Sequence, residues 1–226
     1  VGGAERDDRA ALSAPFGAGR TALVQGRDEI RVIEALRRSA YQRAPEFAVL
    51  RPSAYQWTHA DDRGDVLAVW DEHCTPLATM RGTVVADRDE AERQLECTVP
   101  VDGALFPALV LERGATCADR SASGLNSLMR YYFIEAALRR ALGSVLGAVF
   151  DGAPRLRLLA RIGYEFVKSD RVWDENIAPR ASVLIASLPR ERMPGACAVL
   201  LESLNDVLGR FPWDGPPMTM NAFRAA

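Results

Sequence analysis

PALVLERGATCADRSASGLNSLMRYYFIEAALRRALGSVLGAVFDGAPRLRLLARIGYEF, residues 107–166, sets the fold. It reads strand, loop, long helix, strand, short helix, strand. ALVLE and SVLGAVF are short apolar runs rich in β-branched and leucine residues, and helical periodicity separates them. Glu112 is a carboxylate inside the first strand, where an unpaired charge is costly. A partner is therefore expected, with Arg81 and Arg113 as candidates. The turn holding Arg120 and Gly124 precedes the helix and makes its first amides a candidate anion site.

Outward from this unit the chain is punctuated clearly. TALVQ (21–25) is a first strand. Residues 28–43 repeat apolar positions at helical spacing, with Asp28 as the expected N-cap and Pro45 as the stop. Residues 44–64, with Pro45, Pro52 and Gly64, read as a long irregular loop packed by Tyr55 and Trp57. DVLAVWD (65–71) and LATMRGTVV (77–85) flank a short turn and should pair antiparallel. Residues 86–96 suggest a short exposed helix. ASVLIASL (181–188) is a final buried strand and 195–209 a closing amphipathic helix. Antiparallel strands first and β-α-β crossovers later predict an α/β (α+β) domain with one mixed, mostly antiparallel sheet flanked by helices. Residues 1–20 read as a flexible tail without the basic start and apolar core of a signal peptide. Residues 21–210 read as a single domain, and 211–226 as a loosely held Pro-rich tail.

Composition narrows the function. A net charge of −2 gives no general reason to expect nucleic-acid binding. Lys168 is the only lysine, and arginine otherwise supplies the basic charge; its fork suits carboxylates and phosphates. Four cysteines without CxxC and only two histidines, His59 and His73, leave no metal site and no hydrolase triad to build. The thiols read as reduced and the protein as cytoplasmic. No apolar run approaches about 18 residues, the length of a membrane span.

The 107–166 unit resembles the core of the GNAT acyltransferase superfamily, in ALVLERGATC, the Arg120-to-Gly124 turn with its helix, and the closing Ile162-Gly163-Tyr164. The resemblance implies a sheet splayed or bulged at its central strand. It also implies backbone near Val110 and Leu111 that polarises a thioester carbonyl, and an acyl donor held by the turn, with Arg120, Ser123, Gly124 and Asn126 as its residues. The family turn is Arg/Gln-x-x-Gly-x-Gly/Ala, whereas this chain has Ser123 at the fourth position and Leu125 at the last. Fewer glycines suit one phosphate better than two, which favours acyl-phosphopantetheine on acyl carrier protein over acyl-CoA as donor. Many members also carry a tyrosine general acid where this chain has Leu159.

The N-terminal half resembles two branches, the autoinducer (acyl-homoserine-lactone) synthases and the N-acyl amino acid synthases. Arg37-x-x-x-Tyr41 is similar to their helix motif, Asp62-x-x-Asp65 to their acidic pair, and Arg81 to their strand arginine. Glu112 falls at their strand glutamate. Ala115 replaces the arginine that the autoinducer synthases place three residues after it. The resemblance therefore implies transfer of a fatty acyl group from acyl carrier protein to the α-amine of an amino acid, with no permanently bound cofactor. Autoinducer synthesis from S-adenosylmethionine, acetyl-CoA-dependent N-acetylation and a catalytically silent binding domain stand as alternatives. Glu112 would accept the amine proton, unless it only forms a salt bridge. Arg81 would bind the acceptor carboxylate, unless it lies on an outer sheet face. Arg37 would orient a carboxylate or brace the loop through Asp62 or Asp65. Trp57 would cover an acyl chain or simply pack the loop.

Overall fold

The structure, a computed structural model, describes residues 19–117, 123–215 and 218. The strands are β1 (Arg20–Leu23), β2 (Asp65–Trp70), β3 (Pro76–Val85), β4 (Ala108–Thr116), β5 (Ser144–Phe150), β6 (Glu165–Lys168) and β7 (Val183–Pro189). They form one sheet in the order β1-β2-β3-β4-β5-β7-β6. All neighbours are antiparallel except β4 and β5, which run parallel around the crossover helix α5 (Ser123–Arg139). The α/β architecture and mixed sheet expected from the sequence are both present. The final strand, β7, inserts between β5 and β6.

Two apolar layers enclose the sheet. Leu67, Val69, Leu109, Val145 and Leu188 pack against α5 and α7 (Met193–Arg210) on one face. The opposite face divides in two. Ala68, Trp70 and Ala115 lie under α1 (Gly26–Tyr41), while Val85, Val110, Leu146 and Ile185 join Ala91 of α4 (Arg88–Leu95). Helix α1 buries Ile33, Leu36, Arg37 and Tyr41, a stripe at helical spacing with a guanidinium inside it.

Several local expectations are corrected. Gln25, not Asp28, is the N-cap of α1; Asp28 lies in the first turn, and the Gln25 amide donates to the Glu29 carboxylate at 2.6 Å. The 44–64 segment is not irregular throughout. It holds two short helices, α2 (Pro52–Tyr55) and α3 (His59–Arg63), the latter opened by a Thr58–Asp61 capping box. At the C-terminal end, Phe211 is fully buried, and the Thr21 and Asp214 amides donate to the Pro212 and Thr21 carbonyls. Residues 211–214 thus run along β1, although this segment was expected to be loosely held. The tail expected over 1–20 lies outside the described residues except for Gly19 and Arg20.

Candidate active site

The central strand breaks regular pairing twice. Its register with β5 runs from Ala108–Ser144 to Val110–Leu146 and stops there. Beyond that point β4 continues along β3, and β5 along β7, so the two parallel strands diverge. Val110 is the last paired position and Leu111 the first beyond it; both are buried. Against β3, Met80 alone lies between Thr79 and Arg81, while Arg113 and Gly114 both lie between their partners Glu112 and Ala115. The additional residue is a β-bulge at Arg113-Gly114, where Arg113 takes a left-handed backbone with φ of 51°. The bulge turns both Glu112 and Arg113 toward the α1 and α4 side.

There they join a row of charges between the two apolar clusters. Arg37 Nη2 donates to Asp61 Oδ1 at 2.8 Å, and Arg81 Nη1 stands 3.4 Å from the same oxygen. Arg81 Nη2 donates to Glu112 Oε2 at 2.7 Å. The Gln94 amide from α4 also donates to Glu112. Arg113 lies 3.8 Å from Asp61 and donates to the carbonyls of Ser53 and Gln56 at 2.7 and 2.9 Å, which ties β4 to α2. Arg37, Asp61 and Arg81 are buried; Glu112 and Arg113 reach the edge of the opening. Burial alone would raise the Asp61 pKa, but the charges of Arg37 and Arg81 override it and hold the group below its ordinary range. Burial, offset in part by Arg37 and Arg113, raises the neighbouring Tyr41 phenol, which therefore stays neutral.

Three guanidiniums thus gather around Asp61 and Glu112, with the buried Asp65 at the head of the neighbouring strand. Arg37 Nε and Nη1 and Arg81 Nε and Nη1 are buried without a hydrogen-bond partner among the described residues. Buried donors left this way are costly. A bound anion would satisfy them.

Arg37, Arg81 and Glu112 thus meet at one site, with Tyr41 beside it. Arg81 is not on an outer face. The brace from Arg37 goes to Asp61, which sequence reading passed over for Asp62 and Asp65. Asp62 is exposed and accepts from the Trp57 indole at 2.7 Å, while Trp57 lies under the Arg37 guanidinium, 5.7 Å from ring centroid to Cζ. Asp65 is buried at the head of β2, opposite Gly82. Gln94 and Arg113 were also missed. Thr58-x-x-Asp61 was the available signal for Asp61, and Gly114 after Glu112-Arg113 the signal for the bulge.

Of the turn residues, Arg120 and the Ser123 side chain lie outside the described residues. A methyl on Gly124 would meet Val207 Cγ2 of α7 at 2.9 Å, so this glycine serves the packing of α5 on α7. The Asn126 carboxamide oxygen is buried, accepts no hydrogen bond among the described residues, and faces Gly114 of the bulge. Leu159 on α6 (Leu156–Arg161) is core. No group of histidine, cysteine and acidic side chains that could hold a metal is found among the described residues.

No protein-family model and no curated protein matches the sequence. Solved structures match along most of the chain. The CoA-dependent acyl-homoserine lactone synthase BjaI superposes with a TM-score of 0.57 at 14% identity, covering 90% of this chain and 96% of that one. FeeM, an N-acyl amino acid synthase from uncultured soil microbes, gives 0.57 at 9% identity over 82% and 98%. The fold is that of the GNAT acyltransferases. The ribosomal-protein-S18-alanine N-acetyltransferase from Escherichia coli, also GNAT-like, gives 0.50 at 12% identity over 76% and 93%. The divergence of β4 from β5 and the bulge in β4 are features that the sequence resemblance led us to expect of a GNAT sheet.

Proposed function

We propose that this protein is an N-acyltransferase that moves a fatty acyl group from acyl carrier protein to the α-amine of an amino acid. The buried guanidinium donors of Arg37 and Arg81 that lack an acceptor carry the reading. The carboxylate of an amino acid supplies the acceptors that Arg37 and Arg81 lack. Its amine then faces the central strand. The amine nitrogen bonds to the thioester carbon, the carbon–sulfur bond breaks, and Glu112 accepts the amine proton, directly or through a water. Backbone near Val110 and Leu111 polarises the carbonyl. Burial raises the Cys97 and Cys197 thiols to about 11, so both stay protonated at neutral pH and are poor nucleophiles; this favours direct attack over an acyl-enzyme. Leu159 leaves the thiol to depart as its own thiolate, at a pKa of about 8.5.

One observation favours the lactone-forming reading. Arg113, turned by the bulge, brings a third guanidinium to a site where Ala115 supplies none. Incubation with acyl carrier protein charged with fatty acyl chains, and with amino acids or S-adenosylmethionine, followed by mass spectrometry, separates the two. An N-acyl amino acid is expected; an acyl-homoserine lactone as the product would overturn the proposal.

A further inference from the structure

Glu112 is held by one of its two oxygens. Arg81 Nη2 from β3 and the Gln94 side-chain amide from α4 both donate to Oε2. Oε1 accepts no hydrogen bond among the described residues, and the side chain is partly exposed at the opening. One oxygen is thus pinned by two donors, while the other keeps its lone pairs for an incoming N–H.

The two donors are not equivalent. Arg81 Nη1 also stands 3.4 Å from Asp61 Oδ1, and in the reading above Arg81 takes the acceptor carboxylate as well. A guanidinium divided among three anions grips each less firmly. Gln94 makes no other hydrogen bond among the described residues, and its neutral amide adds no fourth cation to the site. Its helix is fixed at both ends. The Asp87 carboxylate caps α4 by accepting from the Glu90 amide at 2.9 Å, and the Glu92 carboxylate accepts from the Val99 amide at 2.9 Å beyond the last turn. Ala91, three residues before Gln94, is fully buried, which turns the Gln94 side of the helix toward the sheet.

We propose that Gln94 is a positioning residue for the transfer. It keeps Glu112 Oε1 directed at the reacting amine while Arg81 is engaged by the acceptor, and it acts only through Glu112. The proposal rests on the acyl-transfer reading above, with Glu112 as the base.

Initial rates of N-acyl amino acid formation test it, with the acyl carrier protein thioester and the amino acid that the product assay identifies. Gln94→Met keeps the length of the side chain and removes the donor. It should lower kcat about tenfold or more and leave KM for both substrates within about twofold, because a misplaced base slows the chemical step rather than binding. Gln94→Lys restores a donor and should recover part of kcat. In a Glu112→Gln background, Gln94→Met should cost nothing further, since two residues that serve one step are not additive. An unchanged kcat for Gln94→Met, or an equal loss in both backgrounds, overturns the positioning role and leaves acyl transfer standing. So does a raised KM at constant kcat, which would put Gln94 in binding. A wild type that forms no N-acyl amino acid overturns both.

Discussion

Asp61 accepts from Arg37 and lies within 4 Å of Arg81 and Arg113, so its loss removes the carboxylate that all three guanidiniums approach. Asp61→Asn should destabilise the fold by about 3–5 kcal/mol, the cost of stranding buried charge, as read by urea unfolding. Asp62→Asn, one residue on, should cost about 1 kcal/mol or less, since it weakens only an exposed bond to Trp57. The depressed Asp61 pKa gives the contrast a pH signature. Its contribution is present above the unfolded carboxyl pKa of about 3.9 and is lost as pH falls through the lower folded value. Wild type should therefore lose stability on acidification below about pH 4, and Asp61→Asn should lose correspondingly less there. Glu112→Gln is expected to lower turnover about a hundredfold or more, with circular dichroism unchanged. Unchanged turnover would remove Glu112 from the mechanism.

At the scale of elements, α5 sits where it does partly because Gly124 has no side chain. Gly124→Ala gains about 1 kcal/mol of helix propensity but presses a methyl on Val207, at a typical overpacking cost of about 1–3 kcal/mol. A net loss of thermal stability is expected, restored when Val207→Ala is added. The periodic elements were legible from the residues, because 107–166 switches between strand and helix spacing with glycine and proline between them. Helices α2 and α3, of four and five residues, are too short to show a period. Which of Asp61 and Asp62 turns inward depends on the cap at Thr58 and on contacts with α1 and β3, far away in sequence. The bulge was implied by resemblance but its position was not, since it depends on how Glu112 registers against Arg81.

At the scale of the molecule, one sheet face is devoted to α5 and α7, and the other is interrupted by a band of charge. Stability is therefore concentrated on the first face, and the α1–α3 side is expected to exchange amide hydrogens earlier in native-state exchange. The outermost strand on that side, β1, is secured by residues 211–214. Phe211→Ala should cost about 3–5 kcal/mol, measurable by denaturant unfolding, because it empties a fully buried ring site. The same arrangement has a consequence in time. Thr21 and the segment that covers it are 190 residues apart, joined by the bond from the Thr21 hydroxyl to the Phe211 carbonyl. At about 5–20 residues per second, a ribosome needs about ten to forty seconds to make the intervening chain. Throughout that interval the nascent protein presents an open strand edge, which closes only as the last helix and the residues after it are released.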